Sequence, residues 1–431
     1  MAKYADITGW GKCLPPAVLT NDDFASVIDT SDEWIRTRSG IAERRVSHAP
    51  NSDLAAVAAK RAMACAGVEP GEIDLLILAS TSGDNIVPST GSYVQAKTDT
   101  LNAAVFDLNA GCSGFIYGLE VATAMIRSAG YRKALVIGSE RLTWLINFSD
   151  RSSGVLFGDG AGAAVLEASD EECGLLSAHL GCDGRQAHIL EVPNSGTAGY
   201  RFRENYNIFD INFDGQEIFK RAVKGMAGEV KKVLKDTGLG RDDIDLVVPH
   251  QANLRIIEML AHFLRMPMEK VAVNIQNYGN TSAATIPIAL CEMLEQGRIA
   301  PGDNIMMAAF GAGLTRGAGL LRWGKRVTPL GESDAELPPC DQTALEILGD
   351  ADLKPLEARL DGEPRLHEHA GFLEIGPRGV NPVAELLPVA LVELLQARLR
   401  DPRPYAEHVG EIVDADTVGH PFPLSSRMPR Y

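Results

Sequence analysis

Cys112, His250 and Asn280 are the residues whose types and settings offer chemistry. Cys112 follows the strand pattern Ala104-Val105-Phe106-Asp107-Leu108 and stands just before a helical pattern that begins near Ser113. A thiol at a helix N-terminus meets the positive end of the helix dipole, which favours thiolate and so a nucleophile. Gly111 and Gly114 flank it and allow a tight turn and close approach of a substrate. His250 stands in Val247-Val248-Pro249-His250-Gln251-Ala252-Asn253-Leu254-Arg255, just past an apolar strand pattern. Asn280 belongs to a polar glycine turn, Asn277-Tyr278-Gly279-Asn280-Thr281-Ser282-Ala283-Ala284, that leads into a further helix. A lone cysteine is more often a small buried hydrophobe. Cysteine, histidine and asparagine on three element ends instead describe a thiol-based site.

The elements that must position them read as alternating strands and helices. Leu75-Leu76-Ile77-Leu78-Ala79, Ala134-Leu135-Val136-Ile137 and Asp245-Leu246-Val247-Val248 are short apolar runs of the kind buried on both faces of a sheet. Helical patterns cover Asp53 to Ala66, Phe115 to Ser128 and Gln216 to Lys235. This alternation predicts an α/β protein with sheets covered by helices. The chain also hints at duplication. Glu72-Ile73-Asp74-Leu75 and Asp243-Ile244-Asp245-Leu246 open equivalent strands, and each is followed by a small-residue turn into an apolar helix, at Cys112 and at Asn280. Two similar halves packed together bring those turns near one another.

Composition narrows the function classes. The 41 basic and 57 acidic side chains give a net charge of -16, against any general affinity for nucleic acid or for an anionic membrane. No apolar run approaches the ~18 residues of a membrane helix and no leader pattern stands at the N-terminus, so the expected location is the cytoplasm. The seven cysteines show no CxxC spacing, which indicates neither a zinc ribbon nor a disulfide framework. Gly158-Asp159-Gly160-Ala161-Gly162 looks like a phosphate loop but precedes a strand, Ala163 to Leu166, and reads as packing near the site. His367-Glu368-His369 suits no standard metal geometry, and no metal is expected.

Taken together, the longer motifs resemble the β-ketoacyl-[acyl-carrier-protein] synthase III family. They are Asp29-Thr30-Ser31-Asp32-Glu33-Trp34-Ile35, Arg38-Ser39-Gly40-Ile41, Phe157-Gly158-Asp159-Gly160-Ala161-Gly162-Ala163-Ala164-Val165-Leu166, and Phe310-Gly311-Ala312-Gly313, besides the His250 and Asn280 segments. The resemblance covers roughly residues 3–324. It implies a thiolase-like five-layered αβαβα fold with an N-terminal half over 1–170 that carries the cysteine and a C-terminal half over 171–326 that carries the histidine and asparagine. It further implies an acyltransferase in which Cys112 is acylated by an acyl-CoA. His250 and Asn280 then bind the thioester carbonyl of malonyl-acyl-carrier protein during decarboxylative condensation, and the backbone amides of Cys112 and Ala312 form the oxyanion hole. No cofactor is implied, because coenzyme A arrives as the substrate thioester. Trp34, Arg38, Arg151, Phe219, Ala252, Asn253 and Arg255 are expected at the CoA and carrier site, and Val87 and Leu142 at the acyl pocket, with Val87 reaching across a homodimer interface. The absence of a second cysteine near Gly311-Ala312-Gly313 argues against a thiolase proper.

Two departures stand out. Arg316 occupies a place where the family leads one to expect tryptophan, and residues 327–431 extend well past the usual end of the family near Trp323-Gly324. Within the last 101 residues lie 19 acidic and 9 basic side chains and 12 of the 23 prolines. Asn381-Pro382 opens a helical stripe through Leu399, broken at Pro388, and Asp341 to Leu348 forms a weaker helix candidate. Alternatives to the leading reading are an acyltransferase or condensing enzyme of secondary metabolism with another acceptor, and a component that recruits other synthase subunits through the tail.

Overall fold

The computed structural model describes residues 2–148, 150–193, 195–197 and 211–353. The helical stripe expected after Asn381 and the His367-Glu368-His369 cluster lie outside them. Nine strands form one hydrogen-bonded sheet: β1 (Tyr4–Cys13), β2 (Leu75–Ala79), β3 (Ala104–Leu108), β4 (Lys133–Glu140), β5 (Gly160–Ser169), β6 (Gly174–Cys182), β7 (Leu246–Pro249), β8 (Asn304–Gly311) and β9 (Thr315–Arg322). Their spatial order is β7-β8-β9-β6-β1-β5-β4-β2-β3. β2 runs parallel to β3 and β4, and β7 runs parallel to β8. The two groups of strands meet only where Ala5 of β1 pairs with Gly174 of β6. The apolar runs read from the sequence therefore fall on strands buried on both faces.

Helices α1 (Asp32–Ser39), α2 (Asn51–Ala66), α3 (Gly114–Ala129), α4 (Gly215–Thr237), α5 (Leu254–Leu264), α6 (Thr285–Glu295) and α7 (Ala344–Leu353) supply the covering layers. α3 and α6 are central. Phe115, Ile116 and Leu119 share one core with Ile286, Ala289 and Met293 and with Leu75, Val136, Val248 and Met307 from both groups of strands. α2 closes a second core on β2, β4 and β5, and α4 and α5 close a third around Met306, Ala308 and Phe310. This layering is thiolase-like, as expected. Placing α3 and α6 back to back sets their N-termini, with the turns that hold Cys112 and Asn280, side by side.

The chain stays packed on this body well beyond Trp323. Arg326 donates to the carbonyls of Thr8 and Ala66, Leu330 N donates to Cys65 O, and His48 Nε2 lies 2.7 Å from Pro338 O. α7 begins three residues later than the sequence predicts. Thr343 and Glu346 form a reciprocal cap there, with Thr343 N donating to Glu346 Oε2 at 2.7 Å and Glu346 N donating to Thr343 Oγ1 at 3.3 Å. Among the described residues no helix is long and apolar enough to cross a membrane.

Candidate active site

Each reactive side chain stands where an element ends. Cys112 lies in a single 3-10 turn, Gly111–Ser113, immediately before α3. His250 follows β7, held by its backbone N–H donating to Ala308 O at 2.8 Å. Asn280 stands ahead of the 3-10 turn Ser282–Ala284 that enters α6. Its N–H donates to Leu156 O and its carbonyl accepts from Gly158 N, and its side-chain Oδ1 accepts from Ser282 N at 2.8 Å. Gly158 is small because a Cβ there would stand 2.5 Å from Tyr278 O, so the glycine-rich motif packs against the Asn280 turn, as its position before a strand predicts.

All three open on one cavity of about 200 Å³. Its walls are mostly apolar, with Val155, Leu156, Phe157, Ile218, Phe219, Met226 and Phe310 among them, and Trp34, Arg38, Ala252 and Asn253 lie along it. Arg38, Phe219 and Asn253 also line an outer groove that holds Lys220 and Arg255. Local caps fix these positions. Ser31 accepts from Trp34 N at the start of α1, and Asn253 Oδ1 accepts from Arg255 N at the start of α5 while its Nδ2 donates to Arg38 O. Trp34 and Arg38 are one helical turn apart, and the guanidinium of Arg38 lies 4.4 Å from the indole centroid. That of Arg151, which also donates to Asp29 O, lies 5.0 Å away. The mouth is thus cationic in a protein of net charge -16.

The backbone around Cys112 is tightly packed. Gly111 has φ +55°, and a Cβ on it would stand 3.0 Å from Ala312 N, whereas a Cβ on Gly311 would stand 2.5 Å from Cys112 N. Cys112 N and the Ala312 turn therefore face one another across two glycines. Leu142 is buried in the core beside Ile146 and Phe148 and does not line the cavity. Val87 is 82% exposed on this chain and likewise lies apart from the cavity.

The electrostatics differ from the sequence reading at one point. Burial pushes the Cys112 thiol up to about 11, with a smaller upward push from the Glu140 carboxyl, and a hydrogen bond from Ser282 opposes them. Burial thus opposes the thiolate that a helix N-terminus favours. Burial drives His250 down to about 3, so its imidazole is neutral. His250 Nδ1 lies 2.7 Å from the Thr285 hydroxyl, which lies 2.9 Å from Ser282 O. Sequence reasoning passed over Thr285, Ser282 and Glu140. Ser282 stood inside a motif already singled out, and Glu140 was visible as a carboxylate closing a strand whose centre, Ala134-Leu135-Val136-Ile137, is apolar.

Arg316 has a partner that its type demands. Its Nε donates to the buried Glu229 of α4 at 2.6 Å, and Lys232 reaches the same carboxylate at 2.7 Å. Among the described residues no group of three His, Cys, Asp or Glu side chains is placed to hold a metal ion.

A cysteine and an asparagine at the facing ends of two central helices, with a neutral histidine just past β7, define a condensing acyltransferase of the thiolase fold. The family description 3-oxoacyl-[acyl-carrier-protein] synthase III matches residues 106–184, and its C-terminal counterpart matches residues 234–323. A β-ketoacyl-[acyl-carrier-protein] synthase III 2 of Vibrio cholerae is 55% identical over 348 residues, 81% of this chain and 96% of that protein. The β-ketoacyl-[acyl-carrier-protein] synthase III of a Roseiflexus species is 48% identical over 75% of this chain and 99% of its own length. Among solved structures, the 3-oxoacyl-(acyl carrier protein) synthase III of Pseudomonas aeruginosa matches with TM-score 0.70 at 40% identity, covering 75% of this chain and 99% of that one. A priming β-ketosynthase of the R1128 polyketide pathway matches with TM-score 0.72 at 33% identity, covering 75% and 97%. The chain belongs to the β-ketoacyl-[acyl-carrier-protein] synthase III family.

Proposed function

We propose that Cys112 attacks an acyl-CoA thioester and holds the acyl group, and that malonyl-acyl-carrier protein then condenses with it to give a β-ketoacyl product and carbon dioxide, the step that begins fatty-acid synthesis. The convergence of Cys112, His250 and Asn280 on one largely apolar cavity carries this reading. During acylation the tetrahedral oxyanion takes hydrogen bonds from the backbone amides of Cys112 and Ala312. Carbon dioxide loss then builds an enolate whose oxygen takes hydrogen bonds from Asn280 Nδ2 and His250 Nε2. Donors fixed where charge develops act on the transition state, and each is worth about 10²–10³ in rate. Asn280 suits the role because Ser282 N holds its Oδ1 and leaves the amide free to donate. A neutral imidazole has one N–H, so donation from Nε2 requires the Thr285 hydroxyl to turn its proton from Ser282 O, to which it donates in this structure, toward Nδ1. No cofactor is needed, since carbon dioxide loss generates the carbanion and coenzyme A is a substrate leaving group.

Coenzyme A enters past Trp34, Arg38 and Arg151, with Phe219, Ala252 and Asn253 along the pantetheine and Arg255 at the carrier-docking rim. An indole with two guanidinium planes is a natural base-stacking site. We place the nucleophile half at 1–170, the His and Asn half at 171–326, and the extension from 327. The working state is a cytoplasmic homodimer. Ile86 and Val87 are 87% and 82% exposed and β3 is the last strand of the sheet, so a second copy has an apolar loop and a strand edge to cover. That arrangement brings Val87 toward the acyl pocket of the partner copy. Incubation with an acyl-CoA and malonyl-carrier protein should release carbon dioxide and form the β-ketoacyl carrier in wild type. Asn280→Asp should still be acylated but release little carbon dioxide. Equal release by both proteins would refute the assignment of Asn280.

A further inference from the structure

Residues 325–348 lie past the last of the family's motifs, and the mechanism above gives them no task. Their docking is specific. Trp323 Nε1 donates to Arg326 O at 2.7 Å, fixing the turn from which Arg326 reaches the Thr8 and Ala66 carbonyls. Further on, the exposed Glu332, Asp334 and Glu336 alternate with the half-buried Ser333, Ala335 and Leu337, the period of an extended segment. Ala335 and Leu337 pack on the core that holds Leu54 and Met63 of α2. The reciprocal cap at Thr343 and Glu346 then starts α7, whose Ala344 and Leu348 are 2% and 7% exposed.

α7 rests on a two-stranded antiparallel ribbon, Ala17–Thr20 with Glu43–Val46. Ala17, Leu19 and Val46 share a core with Ala344 and Leu348. The two strands of that ribbon bracket α1 in the chain. Asn21, one residue past the first strand, donates through Nδ2 to Asp32 Oδ1 at the start of α1 and to Ile41 O just past its end, both at 2.8 Å. Arg44, of the second strand, donates to Asn21 Oδ1 and to the carbonyl of Val155, which lines the cavity. The ribbon thus holds both ends of the helix that carries Trp34 and Arg38.

We propose that residues 325–348 are a brace that sets the coenzyme A mouth, with Leu348 as the positioning residue at its far end. The proposal rests on the reading that Trp34 and Arg38 take the adenine. Leu348 does not line the cavity and acts through the ribbon. α1 has only eight residues, and helices below roughly 12–15 residues do not hold their shape alone, so its placement is that of its anchors. Removing a buried side chain leaves a cavity into which its neighbours relax only in part. At Leu348 those neighbours belong to the ribbon, and a shift there passes through Asn21 and Arg44 to the indole.

The test is single-turnover acylation of the full-length chain, read by intact mass, for wild type, Leu348→Ala and Leu348→Met. The donors are acetyl-CoA and S-acetylpantetheine, which carries the same thioester without the nucleotide. Leu348→Ala should raise the half-saturating acetyl-CoA concentration about tenfold, the scale of a lost base stack, and leave the rate at saturation unchanged. With S-acetylpantetheine it should match wild type. Leu348→Met, which keeps the volume, should match wild type with both donors. A folded Leu348→Ala protein that takes acetyl-CoA as wild type does, or that loses both donors equally, overturns the brace. A wild type that saturates with both donors at the same concentration refutes the adenine assignment itself, and the brace with it, so the wild-type control tells the two failures apart. Should Leu348→Ala not fold, Leu348→Val, a smaller truncation, should show the same split at reduced size, and its absence overturns the brace.

Discussion

Gly311→Ala puts the oxyanion hole to a steric test. Gly311 ends β8 with φ -153° and ψ -176°, ordinary extended backbone, so alanine meets no conformational penalty. The new Cβ, however, would stand 2.5 Å from Cys112 N, 3.1 Å from Thr315 Oγ1 and 3.2 Å from Cys112 Cα. Ordinary contact begins at 3.4 Å, so the Cys112 and Ala312 turns must part by nearly an ångström. The displaced atoms are the two donors. A misplacement of about 1 Å costs about 10² in rate, and losing one such donor costs about 10²–10³, or roughly 3–4 kcal/mol. The expected result is an acylation rate reduced about 10²–10³-fold, with a stability loss of only about 1–3 kcal/mol from overpacking. Single-turnover acylation followed by intact mass, with a thermal melt on the same sample, separates the two. Gly228→Ala on α4 is the control, since no atom lies within 4 Å of its Cβ position. It should stabilise by about 0.5–1 kcal/mol and leave the rate unchanged. A folded Gly311→Ala protein that acylates at the wild-type rate would refute the oxyanion assignment.

Three further outcomes follow from the geometry. His250 is lowered from 6.5 to about 3 by burial, so between those values the unfolded chain binds the proton and the folded one does not. Its contribution is whole above pH 6.5 and lost as pH falls, about 2 kcal/mol by pH 5; urea melts of wild type should show this pH dependence and His250→Gln should lack it, and equal slopes would contradict it. Arg44, fully buried over Phe24, donates to Leu19 O, Asn21 Oδ1 and Val155 O. Arg44→Ala should cost about 3–5 kcal/mol in melts, because it strands buried acceptors beneath the Asn280 turn, and Arg44→Lys should not restore it. Thr285→Val removes the group that sets the His250 tautomer, so carbon dioxide release should fall about tenfold or more while acylation persists; an unchanged ratio of the two rates would remove Thr285 from the mechanism.

Much of this was legible in the sequence because it depends on local pattern. Leu75–Ala79 and Ala134-Leu135-Val136-Ile137 read directly as strands, since wholly apolar runs between turn residues have few other uses. The duplicated turns correctly anticipated that Cys112 and the Asn280 segment meet, where both line one cavity. What escaped depends on packing between residues far apart in the chain. Glu140 and Ser282 are 142 positions apart, and the high thiol value follows from burial, which no motif records. The Arg316 departure became intelligible only with Glu229 beside it. The docked stretch after Trp323 was hidden because its ties are backbone carbonyls of Thr8, Cys65 and Ala66, which carry no residue signature.

The most direct test of the whole account is the intact mass of the protein after exposure to a panel of acyl-CoA thioesters of increasing chain length. The account predicts that wild type gains the mass of one acyl group for at least one member and that Cys112→Ala gains none. An adduct that persists in Cys112→Ala, or a wild type left unmodified by every thioester, would contradict it.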